Sequence, residues 1–237
     1  MPRIYLSPST QEYNPYITGA GSEEYFMNLL ANTIRFTRNT PDMTAASSIR
    51  QANSGSYDFY LALHSNASAD GSREGTVRGI IAFYYPGSAN GKRAAGIFVR
   101  NLKDIYPLPD KVYTSATTAL GEVRQPYMPS VLLELGYHDN TADALWVENN
   151  LEAIAANMVL SLTEYFGLPF VVPLTPWRGT VRTQGSPLHL RAAPALNSAV
   201  VTTMPSGAPV TVYGRYQDWY TVGYNGLLGY AFADYIT

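Results

Sequence analysis

Two short apolar runs in this sequence each end at a residue that can do chemistry. Phe59–Leu63 is followed by His64, and the run that begins at Ser130 ends at Glu134. Buried strands that deliver polar residues at their carboxyl ends are how open α/β sheets present a site to solvent. A lone histidine there often only makes a structural hydrogen bond, and a lone glutamate often only caps the next helix. Two strands of the same design together favour a functional site.

Helices are predicted on both sides of these strands. Ser22 is a suitable N-cap for a helix from Glu23 to about residue 38, and the longest helix is predicted over residues 141–166. The other predicted elements are strands over 3–6 and 79–85 and helices over 44–52 and 88–105. Residues 107–128 are rich in Pro, Thr and Tyr and are expected to be irregular. Helices that alternate with buried strands predict an α/β fold, with a mostly parallel sheet flanked by helices.

The sequence pattern changes after residue 166. Three prolines fall within residues 167–178, which predicts a stiff, extended linker. From residue 179 to 237, short alternating runs are separated by Gly, Pro, Asn and Asp turns. This spacing is typical of a small all-β barrel. The predicted organisation is therefore an α/β domain over 1–166, a linker over 167–178 and a β domain over 179–237.

Composition excludes several classes of protein. Of the 237 residues, 46% are hydrophobic and 14% are charged, so a sizeable core is expected. A net charge of −2 gives no support to nucleic-acid binding. Cysteine is absent, so a metal could be bound only by His, Asp or Glu among the usual ligands. No apolar stretch is long enough to span a membrane, and the opening residues show no signal-peptide pattern.

The β domain resembles the bacterial SH3 domain. The resemblance is carried by the segments 188–194, 204–207, 210–213, 219–222 and 226–231. It implies binding to cell-wall peptide, commonly through aromatic side chains, and Trp219, Tyr220 and Tyr230 are the candidates. The alternative is that these aromatic residues only fill the core of a small barrel.

Residues 1–166 resemble the zinc-dependent N-acetylmuramoyl-L-alanine amidases of the amidase_3 type. The motifs are Glu24 in Glu-Tyr-Phe-Met-Asn-Leu, Arg50-Gln-Ala-Asn, His64-Ser-Asn-Ala and Glu134-Leu-Gly-Tyr-His-Asp-Asn, in the order of the family. The resemblance implies that Glu24 and His64 are zinc ligands, that Glu134 is the catalytic carboxylate and that Arg50 has a supporting role. Peptidoglycan is the implied substrate and one zinc ion the implied cofactor.

The family's usual first zinc ligand has no counterpart here. That ligand is a histidine after the first strand, where this chain has Thr10, or in one branch a few residues later, where it has Tyr13. The third ligand is therefore open between Glu12, Tyr13 and His138. Tyr13 is a poor candidate at neutral pH, because the ordinary pKa of tyrosine is about 10.

Three functional hypotheses follow. The first is a peptidoglycan amidase that is targeted to the wall by its SH3 domain. The second is a degenerate amidase that binds the wall without catalysis, and the third is a metal hydrolase for another amide. A wall substrate implies action at the cell wall, either as a bacterial enzyme or as a phage-released lysin. The oligomeric state is left open.

Overall fold

A computed structural model describes residues 2–34, 44–68 and 73–237. The chain divides into two compact units, Met1–Phe166 and Gly167–Thr237. Each unit has its own hydrophobic core. Among the described residues, no helix is both long and apolar enough to cross a membrane.

The first unit is built on a five-stranded sheet in the order β1-β2-β5-β3-β4. Its strands are β1 (Ile4–Pro8), β2 (Phe59–Asn66), β3 (Ile80–Tyr84), β4 (Val112–Ala116) and β5 (Ser130–Tyr137). Its helices are α1 (Glu23–Thr33), α2 (Ala45–Ser54), α3 (Ala89–Lys103), α4 (Gly121–Arg124), α5 (Thr141–Asn149) and α6 (Leu151–Tyr165). Among the pairings of these described strands, β3–β5 alone is antiparallel, which confirms the mostly parallel α/β sheet.

The central strand β2 is buried on both faces, which explains its continuous apolar sequence. Phe59, Leu61 and Leu63 face the larger core, together with α1, α3 and α6. Tyr60 and Ala62 face a smaller core on the other side, together with α2 and α4. Because side chains alternate along a strand, His64 follows Tyr60 and Ala62 onto the smaller-core face.

Several predicted element boundaries need correction. Ser22 caps α1 as expected, because its side chain accepts a hydrogen bond from the backbone N–H of Tyr25. Residues 35–38 of that predicted helix lie outside the described residues. The single helix expected over 141–166 is two helices, because Asn150 leaves the helical conformation at φ −126° and ψ 20°. Its side-chain amide donates to the carbonyl of Trp146, in competition with continuation of the helix.

The region expected to be irregular, 107–128, contains strand β4 and the four-residue helix α4. Strand β4 extends the sheet beyond β3. Helix α4 packs under β5, and its Val123 belongs to the smaller core. This short helix proves to supply one residue of the candidate site.

The second unit is a six-stranded antiparallel sheet in the order β6-β9-β10-β11-β7-β8. The strands are β6 (Val172–Thr180), β7 (Leu188–Arg191), β8 (Val200–Met204), β9 (Pro209–Tyr216), β10 (Trp219–Tyr224) and β11 (Leu227–Phe232). The segment 167–178, expected to be a linker, is extended, but from Val172 onward it pairs with β9 as strand β6. Since Val172–Thr180 pairs with β9 in the sheet, most of the segment 167–178 is part of the second unit.

Candidate functional site

The site lies where the two central strands end side by side. His64 and Glu134 are direct partners in the parallel β2–β5 ladder. Just beyond them the register shifts, and Gly136 takes a φ of +86°, which favours glycine. The ladder therefore stops being regular immediately after it has placed an imidazole beside a carboxylate.

Two buried glutamates hold the His64 ring between them. The Nδ1 atom of His64 lies 2.9 Å from Oε1 of Glu23, at the start of α1. The Nε2 atom lies 2.9 Å from Oε2 of Glu122, on α4. The side chain of His64 is only 12% exposed. Both ring nitrogens are thus engaged by carboxylates that come from different elements.

Glu122 is fixed by further hydrogen bonds. Its Oε1 atom accepts from the hydroxyl of Ser7 at 2.7 Å and from the hydroxyl of Tyr60 at 2.6 Å. Burial alone would raise the pKa of Glu122, but the hydrogen bond and charge of His64, with help from Tyr60 and Ser7, hold it below its usual value. Glu122 is therefore an ionised acceptor that fixes one edge of the His64 ring.

Glu23 is held by amide side chains from the loop after β1. Its Oε2 atom accepts from Nδ2 of Asn14 at 2.8 Å, and its Oε1 atom lies 3.4 Å from Nε2 of Gln11. The same Gln11 nitrogen is 3.5 Å from Nδ1 of His64. Burial would raise the pKa of Glu23, but the hydrogen bond and charge of His64 lower it below its usual value.

The charges of this group shift the pKa of His64 upward. Burial alone would lower it, but the carboxylates of Glu122 and Glu23, with a contribution from Glu134, raise the pKa of His64 to about 10. Without a bound cation the ring is therefore an imidazolium at neutral pH, with both nitrogens donating.

Glu134 behaves differently from the other two carboxylates. Its Oε2 atom is buried and has no hydrogen-bond partner among the described residues. Burial raises the pKa of Glu134 to about 7, with His64 opposing the shift and the charges of Glu23 and Glu122 adding to it. An unpartnered carboxylate with a near-neutral pKa beside an imidazole suits proton transfer.

The structure places the other predicted site residues as follows. Helix α1 brings Glu23, the residue before Glu24, to His64, whereas Glu24 is half-buried. Glu12 is exposed, and Tyr13 is 74% exposed with its hydroxyl donating to Oε1 of Gln11.

The last two candidates, His138 and Arg50, make no hydrogen bond or ion pair with His64 among the described residues. His138 is buried and stacks on Tyr16 with ring centroids 6.0 Å apart. Arg50 is exposed on α2, between the buried Ile49 and Ala52.

Sequence reasoning missed Glu23, Glu122 and Gln11. A signal for Glu23 was present, because Phe26, Met27 and Leu30 follow it at helical spacing and are all buried. Glu122 had no comparable signal, since a four-residue helix shows no periodicity.

The aromatic residues predicted to bind the wall lie in different settings. Trp219 is buried and contacts Phe232 edge-to-face, and both line an open groove of about 700 Å³. Arg182, Arg191 and Tyr235 also line this groove. Tyr220 instead packs against Trp177 and lies under the guanidinium of Arg215. Tyr230 is half-buried on β11.

Comparisons with known proteins agree with both units. The model of the N-acetylmuramoyl-L-alanine amidase family matches residues 23–164, and the model of the bacterial SH3 domain matches residues 186–237. No curated protein matches the chain by sequence.

Three solved structures of similar fold are described here, and each is an amidase or an endolysin domain. An N-acetylmuramoyl-L-alanine amidase from Clostridium difficile 630 is 16% identical, with a TM-score of 0.58 over 70% of this chain and 96% of its own. The catalytic domain of the amidase CwlV from Bacillus (Paenibacillus) polymyxa var. colistinus is 16% identical, with a TM-score of 0.59 over 70% and 99%. The catalytic domain of the CD27L endolysin, which targets Clostridia difficile, is 20% identical, with a TM-score of 0.51 over 69% and 98%.

Proposed function

Because the chain belongs to the N-acetylmuramoyl-L-alanine amidase family and carries a bacterial SH3 domain, we propose that it hydrolyses the amide between N-acetylmuramic acid and L-alanine in peptidoglycan. The observation that carries this proposal is Glu134, whose buried Oε2 atom has no hydrogen-bond partner among the described residues and lies beside the His64–Glu23 pair. The hydrogen-bonding capacity of this oxygen is therefore not used by the described residues. The place of action is then the cell wall, as expected from the sequence.

The family implies a zinc ion, but the described residues of the site offer it two adjacent donors rather than the three protein ligands that a catalytic zinc site uses. Three carboxylates surround one imidazole, so the buried charge is more negative than one histidine can balance. Glu23 and Nδ1 of His64 are the donors next to each other, while Glu122 fixes the other side of the ring. In the described ranges, no three His, Cys, Asp or Glu side chains are placed to hold one ion. When bound, such an ion would supply Lewis-acid activation of the amide carbonyl and of water.

In the proposed reaction, Glu134 transfers the proton. With a pKa of about 7, it accepts a proton from the attacking water and then returns it to the amine of L-alanine as the amide C–N bond breaks. The products are a free lactyl carboxylate on muramic acid and a peptide with a free N-terminal alanine. Glu122 takes no proton in this scheme and keeps His64 oriented.

The test is turnover of purified muropeptides, followed by mass spectrometry and by labelling of new amino termini. We expect product from the metal-supplemented protein and much slower product formation from Glu134→Gln, a variant of the same size. Loss of one general acid–base group should slow the reaction by about 10²–10⁴-fold. No free L-alanyl peptide at high protein concentration would overturn the proposal.

A second function is favoured by one observation, the absence after β1 of the histidine that is the family's usual first zinc ligand. A degenerate amidase would bind wall peptide without cleaving it. This second function predicts that the protein still binds sacculi after chelation and after Glu134→Gln. It also predicts that the protein releases no product whichever metal is added. The muropeptide assay therefore separates the two functions directly.

For the SH3 domain, we propose that wall peptide binds in the groove beside Trp219. The groove combines the aromatic rings of Phe232 and Tyr235 with the cations Arg182 and Arg191, which suits a peptide that carries a carboxylate. Tethering this site to the amidase unit raises the effective concentration of the enzyme at an insoluble substrate. Tyr235→Ala should weaken co-sedimentation with sacculi. If Tyr220→Ala weakens co-sedimentation and Tyr235→Ala does not, the peptide binds at the Trp177–Tyr220 cluster instead.

A further inference from the structure

The groove beside Trp219 carries two opposite charges that are not paired. Arg182 and Asp234 both line this open groove of about 700 Å³, and both residues are exposed. Neither side chain makes a hydrogen bond or an ion pair with any of the described residues, so the two do not neutralise each other. A cation and an anion are therefore both accessible in one groove of the second unit.

The backbone fixes the spacing of these two residues. Val181 forms an antiparallel bridge with Ile236, and the backbone N–H of Arg182 donates to the carbonyl of Tyr235 at 2.8 Å. Arg182 and Asp234 therefore stand on two paired segments of the β unit. Charges that are mounted on paired backbone are held more precisely than charges on a free loop.

The second arginine of the groove, Arg191, is bound to its own loop. Its Nη1 atom donates to the carbonyl of Ser198 at 2.8 Å, and its Nη2 atom lies 3.0 Å from Nδ1 of His189. Of the two arginines, Arg182 is therefore the one whose charge a ligand would meet unpaired.

A continuous aromatic surface accompanies the two charges. The ring centroids of Trp219 and Phe232 are 5.4 Å apart, and those of Phe232 and Tyr235 are 6.2 Å apart. Tyr235 follows Asp234 in the chain and pairs with Arg182 through the backbone. Such rings can cover the apolar part of a ligand while the polar groups fix its orientation.

We propose that this groove binds a zwitterionic peptide, with a carboxylate of the peptide on Arg182 and an amine of the peptide on Asp234. The inference rests on the proposal that wall peptide is the ligand of the groove, and it does not depend on amidase turnover. A peptide with only negative charges would be repelled by Asp234, and one with only positive charges by Arg182.

This charge pattern narrows the class of wall peptide. A cross-link between two stem peptides converts the amine of one of them into an amide and removes its charge. A wall peptide with both a free amine and a free carboxylate is therefore one whose amine is not cross-linked. The inferred ligand is un-cross-linked wall peptide.

The experiment is an NMR titration of the isotope-labelled full-length protein with three short peptides. The first is Nα-acetyl-Lys-D-Ala, which has one amine and one carboxylate, the second is its C-terminal amide, and the third is its Nε-acetylated form. The chain has three tryptophans, and the indole N–H signal of Trp219 reports on the groove that this residue lines. Each peptide that lacks one charge should bind about fivefold more weakly, which corresponds to about 1 kcal/mol for an exposed charge contact.

Matched variants assign each charge of the peptide to one residue. Arg182→Gln should bind the free acid and its amide equally, while it still prefers the free amine. Asp234→Asn should bind the free and the acetylated amine equally, while it still prefers the free carboxylate. Arg215→Gln and Asp218→Asn remove the same charges outside the described lining of the groove and should leave both preferences unchanged. Loss of one preference separates recognition of a charge from a structural role.

Three results would overturn the inference. They are no shift of the Trp219 signal at millimolar zwitterionic peptide, equal binding of the three peptides by the wild-type protein, and tighter Arg182-dependent binding of glycerol phosphate, which would assign the groove to a phosphate polymer. If a variant does not fold, the three peptides still decide on the wild-type protein. Co-sedimentation with sacculi that needs Tyr235, together with equal binding of the three peptides, would overturn this inference alone. Absence of muropeptide turnover with both charge preferences intact would overturn only the proposed amidase activity.

Discussion

Replacement of Glu122 by glutamine tests whether this residue anchors His64. The change keeps the size of the side chain and removes its charge. In the wild-type protein, the two carboxylate oxygens of Glu122 accept hydrogen bonds from three donors, which are the hydroxyls of Ser7 and Tyr60 and the Nε2–H of His64. A glutamine has one oxygen, so either the imidazolium faces an NH₂ group or the hydroxyls lose their common acceptor. In both arrangements, His64 loses a charged partner.

The expected cost follows from the bond that is lost. A hydrogen bond to a charged group is worth about 1.5–3 kcal/mol. Removal of one partner of a buried ion pair costs about 3–5 kcal/mol. His64 retains Glu23 at 2.9 Å as its second carboxylate, which lowers the penalty. We therefore expect Glu122→Gln to lower the free energy of unfolding of the metal-free protein by about 2–3 kcal/mol at pH 7.

Urea unfolding monitored at 222 nm measures this cost, because all α-helices among the described residues lie in the first unit. Glu164→Gln is the matched control: it breaks an exposed pair with Arg100 and should cost less than about 0.5 kcal/mol. A double-mutant cycle with His64→Asn isolates the coupling. A Glu122–His64 coupling below about 0.5 kcal/mol would refute the anchoring role.

Three more predictions concern the first unit. The pKa of Glu134 is raised from 4.5 to about 7, so its protonated form stabilises the folded state. This stabilisation is lost as the pH rises from about 4.5 through 7, and thermal melts of the metal-free protein should show the loss. Melts of metal-free Glu134→Gln should not show it. The pKa of His64 is raised from 6.5 to about 10, so its stabilisation of the folded state is complete below pH 6.5 and is lost as the pH rises through 10. The melting temperature should therefore fall over that range, and it should not fall in this way when His64 is replaced. Asp143→Asn should cost about 2–3 kcal/mol in urea unfolding, because this buried carboxylate pairs with Arg78 and accepts from the hydroxyl of Tyr106; a cost near zero would contradict that accounting.

The strands that carry the site could be predicted because burial on both faces leaves a simple signal. An uninterrupted apolar run that ends at a polar residue identified β2 with His64 and β5 with Glu134. Their adjacency in the sheet is a tertiary fact, since about 70 residues separate them and no local pattern fixes the order of strands in a sheet.

The residues around His64 could be predicted only in part. Choosing Glu23 over Glu24 depends on the phase of α1, because neighbouring helical residues point about 100° apart. Glu122 and Gln11 come from a four-residue helix and a loop, whose positions are set by packing and by hydrogen bonds to distant residues. Such segments have no periodicity that a sequence pattern could reveal.

The pairing of His64 with Glu134 in the β2–β5 ladder also bears on how the protein folds. Parallel strands so far apart in sequence pay the entropy of loop closure before they gain contacts, so they associate slowly. Glu23 and Glu122 must dock as well before His64 has both partners. Intermediates that already contain helices would then lack the assembled site, and the pairing of His64 with its two glutamates should lag behind recovery of helix during refolding.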